Sequence, residues 1–289
     1  LKNLKDKKDI TLSHSSANLL RGCEKKYVLY KVKGVDKDPD FDDNQEHFNI
    51  GKAVHFILEE LLHIYDKDKF YELVETASSH FECPDRKYLI AAMAFKGLQI
   101  QKKEKLFAVI CEYRIQTENT LGYVDLIACD EDKNWWIIDL KTSKKKSELT
   151  VAKLHNDYQL NLYSAHVKQI AKDNGLDPKK FMGCRYRIIT KSTSMPKKDE
   201  TIPQYIKRIH SKGWVKGFDV IIPKDDMQPE ETLKGHKELW RRAKKLHEGA
   251  KPKKDYAYCS SFFRPCAYWS HCHGNTYTDS LFELDVREY

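Results

Sequence analysis

No apolar run in this chain of 289 residues approaches the length that crosses a bilayer. No secretory leader is legible at its start, which predicts a chain that stays in the cytoplasm. An ATP-binding P-loop is missing too, so any motor activity has to come from a partner. Neither an internal repeat nor a linker-like stretch interrupts it, and a single domain over 1–289 is expected. There is no acidic surplus: 43 Asp and Glu face 51 Lys and Arg, a net charge of +8. That balance permits a polyanionic partner and says nothing about fold. Eight cysteines without an export signal argue against a disulfide framework and for thiol or metal chemistry. Cys83, Cys111, Cys129 and Cys184 are scattered, three of them inside apolar runs, and read as core thiols.

What is present is a clear order of elements. A helix is expected over Ser13 to Tyr30, with Leu19, Leu20, Cys23 and Tyr27 on one face. An acidic loop follows from Asp36 to Asn44. Val54, Ile57, Leu58, Leu61 and Ile64 recur at helical spacing and predict a helix from Gly51 to Tyr65. Further helices are expected over Phe70 to His80 and Arg86 to Lys103. Leu106 to Gln116, Leu121 to Cys129 and Trp135 to Thr142 read as three strands, the last two joined by a polar turn at Asp130 to Asn134. A helix over Asp157 to Asp173 and a strand over Phe181 to Thr190 then suggest a right-handed parallel crossover. Phe218 to Ile222 adds an edge strand, and Pro229 to Glu248 a late helix. The predicted class is α/β, a mixed central sheet flanked by helices.

Asp125, Asp139 and Lys141 carry the chemistry. Alternation along a strand sends Asp139 and Lys141 to one face, and a hairpin brings Asp125 to it. The buried character of Trp135 to Ile138 makes a carboxylate there costly unless it binds a metal or a partner. Two carboxylates beside a lysine suit metal-assisted phosphodiester hydrolysis: the acids hold a hard cation and the lysine orients water or neutralises charge. The run Lys144-Lys145-Lys146 leaves the same strand and is expected to touch DNA phosphates.

With these motifs, the chain resembles the PD-(D/E)XK nuclease superfamily, and within it the RecB-like exonucleases and CRISPR-associated and phage nucleases. The resemblance implies a restriction-endonuclease-like core, αβββαβ, at about residues 51–190, with helical elaborations. It implies that Asp125 and Asp139 ligate Mg²⁺ or Mn²⁺ together with His55 and the backbone carbonyl of Leu140, and that Lys141 serves catalysis. Glu112, one strand earlier, is a further candidate ligand. Gln159 and Tyr163 match a Gln-x-x-x-Tyr motif whose members share a helix face; Gln159 is expected to support the site and Tyr163 to contact the substrate strand. The signature proline is missing before Asp125, where Val124 stands.

Cys23 far upstream, with Cys259, Cys266 and Cys272 near the end, resembles the iron–sulfur clasp of some relatives. The implied cofactor is a [4Fe–4S] cluster tying the two ends of the chain, with structural Zn²⁺ on the same thiolates as the alternative. The six-residue gap between Cys259 and Cys266 is wider than relatives show. The expected function is a DNA exonuclease acting on ends or single strands in a bacterial cell or phage-infected host, in recombination, DNA processing or CRISPR-type adaptation, alongside proteins of those pathways. A structure-selective or restriction-like endonuclease and a non-catalytic DNA-binding scaffold are the competing readings.

Overall fold

A computed structural model describes residues 10–37, 45–62, 66–143, 157–259 and 266–273. The chain divides into two compact units, one of Asn44–Ile115 and Gly122–Leu233, the other of Leu1–Asp43, Gln116–Leu121 and Lys234–Tyr289.

The smaller unit joins the two ends of the described chain. β1 (Leu12–Ser13) pairs in parallel with Thr120 and Leu121, and is too short to leave a sequence signal. The expected helix over Ser13 to Tyr30 is instead two, α1 (His14–Gly22) and α2 (Glu24–Tyr27), followed by a π-helical turn at Val28–Val32. The break is Cys23, whose backbone is extended (φ −160°, ψ 114°). Glu24, freed at this break, accepts from Arg242 Nε at 2.7 Å and from the Lys253 backbone N–H at 2.8 Å. Trp240 Nε1 donates to the Ile10 carbonyl at 2.6 Å. Side chains of the helix Pro229–His247 thus hold the N-terminal segment through polar contacts.

The larger unit is a sheet covered on both faces. α3 (Gln45–Leu61) begins six residues before the expected start, because Ile50 continues the buried stripe of Ala53, Val54, Ile57, Leu58 and Leu61. α4 (Lys67–His80) is capped by Asp66, whose carboxylate accepts from Lys69 N at 2.7 Å. α5 (Lys87–Lys103) lies against α3 at Gly97, where a Cβ would meet Leu58 Cδ1 at 2.8 Å. The strands are β2 (Phe107–Gln116), β3 (Thr120–Cys129), β4 (Trp135–Ser143), β5 (Phe181–Thr190) and β6 (Gly217–Pro223). β3 pairs with β2 and, antiparallel, with β4; β4 and β5 are parallel; β5 and β6 are antiparallel. The mixed sheet flanked by helices is as expected from sequence.

Alternation sorts the strands between two cores. Leu126, Ala128, Trp136, Ile138 and Leu140 pack under α3, α4, α5 and α8 (Ile202–Ser211). Ile127, Ile137, Cys184, Tyr186 and Ile188 pack under α6 (Tyr158–Ser164) and α7 (Val167–Asp173). The helix expected over Asp157 to Asp173 splits between these two. Ser164 Oγ donates to the Asn161 carbonyl at 2.8 Å, and His166 N turns tightly onto Tyr163 O at 3.0 Å.

Candidate active site

β4 is buried from Trp135 to Leu140, and it delivers Asp139 and Lys141 to the α6 face, as alternation requires. Asp139 is 2% exposed. The β3–β4 ladder runs from Cys129↔Trp135 to Leu126↔Ile138. At the next position Asp125 Oδ2 accepts the Leu140 N–H at 2.7 Å, so a side chain takes a β4 backbone donor. Val124 and Leu126, two residues apart, pack into opposite cores, so alternation is interrupted at Asp125. That interruption carries the second carboxylate to the place where the strands part.

Lys141 Nζ stands 2.7 Å from Asp139 Oδ2. This ion pair is the partner of an otherwise enclosed oxygen. The ammonium also donates to Gln159 Oε1 at 3.2 Å, and Gln159 Nε2 donates to Tyr163 OH at 3.1 Å. The N-cap Asp157 fixes α6 by accepting from Gln159 N at 2.7 Å. Gly122 makes room for the Tyr163 ring: a Cβ there would stand 2.8 Å from Cε1. Tyr163 is only 4% exposed. In this structure the tyrosine reaches the site through Gln159.

His55, on α3, places Nδ1 3.7 Å from Asp125 Oδ2. Its side chain is 31% exposed, yet crowding by surrounding protein, more than the opposing Asp139 charge, lowers its pKa. A neutral imidazole is the form that can ligate a metal. Burial holds both aspartates well above the usual carboxylate range, and for Asp139 the charge of Asp125 adds to it. The Leu140 N–H and Lys141 pull Asp125 the other way without cancelling the effect. Glu112 sits in β2 at φ +50°, a left-handed conformation rare for a non-glycine residue. Although the residue is solvent-exposed, protein crowding and then Asp125, Glu59 and Asp139 push its carboxyl up to about 7.

A buried and a part-buried carboxylate that resist ionisation, crowded together, are the donor chemistry a hard divalent cation satisfies. The residues therefore fit such an ion, although no three or more His, Cys, Asp or Glu side chains among the described residues form a ready cage. Beside them opens a groove of about 750 Å³. Sequence reading overlooked three of its lining residues, Phe48, Lys52 and Lys191. The available signal was spacing: Phe48 and Lys52 lie seven and three residues before His55, on one side of a helix.

Cys23, Cys259, Cys266 and Cys272 all line one small cavity in the smaller unit, and Cys266 N donates to Cys259 O at 2.8 Å. Burial, then the neighbouring Cys266, Cys23 and Cys272, raises the Cys259 thiol pKa. The four cysteines are near one another without converging on a metal-binding arrangement. Lys144, Lys145 and Lys146 lie outside the described residues. Trp135 and Trp136 are buried, and Trp136 is covered by the Arg185 guanidinium at 4.2 Å.

The family model described as the PD-(D/E)XK nuclease superfamily matches residues 11–273. The chain belongs to this superfamily. A crystal structure of a phage-related exonuclease from Haemophilus somnus 129PT is similar at 13% identity, with 83% of this chain and 94% of that one covered and a TM-score of 0.31. No curated protein matches the chain. Among the described residues no helix is long and apolar enough to cross a membrane.

Proposed function

We propose that this protein is a divalent-metal-dependent deoxyribonuclease that degrades DNA from ends or in single strands, with both units forming one nuclease domain. The observation carrying this reading is the convergence of Asp125, Asp139 and Lys141, with Asp139 2% exposed and Lys141 Nζ 2.7 Å from its Oδ2. Asp125, Asp139 and the Leu140 carbonyl would hold Mg²⁺ or Mn²⁺, with His55 and Glu112 at its border. Such an ion supplies charge stabilisation at the phosphoryl oxygens and activation of the attacking water.

The remaining work falls to the chain's own side chains. Lys141 keeps its proton, since Asp139 and Asp125 outweigh its burial and raise its pKa. It therefore offers a fixed positive charge to the phosphate and orients water. Gln159 restrains that ammonium, and Tyr163 restrains Gln159. Catalytic roles thus go to Asp125, Asp139 and Lys141, and positioning roles to Gln159 and Tyr163.

The test is end-labelled single- and double-stranded DNA with Mg²⁺ or Mn²⁺, alongside a closed circular plasmid. Loss of linear DNA with survival of the circle is expected. Cutting of the circle would move the assignment to an endonuclease, and no cleavage with either ion would favour the scaffold reading. We also propose that Cys23, Cys259, Cys266 and Cys272 hold a [4Fe–4S] cluster, their shared cavity being the support. Anaerobically purified protein should then be brown; a colourless protein with one zinc per chain would transfer the site to Zn²⁺.

A further inference from the structure

We propose that the groove beside the carboxylates holds the unpaired strand leading to the scissile phosphate, with Phe48 stacking on one of its bases. This rests on the nuclease reading and goes beyond it by fixing the strand state and the residue that reads it. The groove is continuous with the site, because His55, Leu140 and Lys141 line both. Among the described residues its charged lining is Lys52, Lys141 and Lys191 against the single carboxylate Glu59, a balance complementary to phosphates.

α3 supplies the geometry. Its buried stripe faces the core, while Phe48, Lys52, Phe56 and Glu59 line the groove. Phe56 meets Phe81 edge to face, ring centroids 6.2 Å apart, and forms part of the wall. Phe48 differs: it is 61% exposed and lines the groove. Seven residues of helix place it about 10 Å along the axis from His55. That offset is within the span of a short strand whose phosphate sits at the carboxylates. A ring offered there suits a base not already paired, since stacking on aromatics is how single strands are held without sequence preference.

The experiment measures binding by the full chain carrying Lys141→Ala to prevent cleavage. The probes are a labelled single-stranded oligonucleotide and a blunt duplex of equal length. Adding Phe48→Ala should weaken single-strand binding by about 5- to 150-fold, leave the duplex within about twofold, and keep the salt dependence. Phe48→Tyr should restore affinity. Lys52→Ala should instead lower the salt slope by about one ion. An abasic nucleotide walked along the oligonucleotide should weaken the Phe48 protein at one position and leave Phe48→Ala indifferent. Unchanged single-strand affinity in Phe48→Ala, or equal loss on both probes, overturns the inference. If the chain with Lys141 intact still cuts DNA, the nuclease reading survives that result; if it neither binds nor cuts, both fall.

Discussion

Two sets of buried charges lie in the same sheet, and they are built differently. On β5 and β6, Arg187 is fully buried directly across from Asp219. Its Nε and Nη2 reach the two carboxylate oxygens at 3.0 Å each, and Nη1 donates to Gln101. On β3 and β4, Asp125 and Asp139 crowd together, and the ammonium beside them is that of Lys141, 2.7 Å from Asp139 Oδ2. The first set is satisfied from within, so removing either partner strands the other. The second is a like-charge pair kept at a cost to the metal-free fold, as sites that await a ligand are.

The comparison breaks most sharply on activity. Lys141→Ala and Asp139→Asn should each lower kcat by roughly 10²- to 10⁴-fold with circular dichroism unchanged, and Lys141→Ala should weaken DNA binding far less than it lowers cleavage. Asp219→Ala should leave cleavage chemistry in place but strand the Arg187 charge, destabilising the fold by about 3–5 kcal/mol in urea titration. The paired replacement Arg187→Met with Asp219→Leu should recover most of that loss.

The opposite sign is expected at the site. A carboxyl whose folded pKa is raised holds a proton that the unfolded chain has lost, so its contribution is full below about pH 4 and disappears as pH rises toward about 7. Metal-free protein should therefore lose stability over that interval. Asp139→Asn should raise its stability at pH 8 by about 1–2 kcal/mol and flatten the pH profile. Mn²⁺ should raise Tm more at pH 8 than at pH 6 in the parent, and little in Asp139→Asn. The smallest effect belongs to Tyr163→Phe, which removes one hydrogen bond to Gln159 and should lower kcat about fivefold. Gly122→Ala, which displaces the ring itself, should exceed it.

Much of the larger unit was readable from residues because burial writes a pattern. The Trp135 to Ile138 run, the Asp130 turn and the Asp-Leu-Lys spacing are local signals, and the structure gives each its expected element. Asp130 holds that turn by accepting from Asn134 N at 2.9 Å. What escaped depends on contacts distant in sequence. Cys23 breaks a helix that periodicity joins, and Asp125 meets Leu140 only where two strands separate. α8 was missed although Thr201-Ile-Pro-Gln204 marks its start, with Gln204 Oε1 accepting from Thr201 N at 2.9 Å. Phe48 carried only its spacing to His55 as a signal, because the expected helix began after it and its exposure is a tertiary fact.

A crystal of the protein soaked in Mn²⁺ and measured for anomalous scattering tests the site most directly. The expected result is an ion touching both Asp125 and Asp139, with the Lys141 ammonium beside it. A map with no ion there, from protein that cleaves DNA under the same conditions, would contradict the assignment.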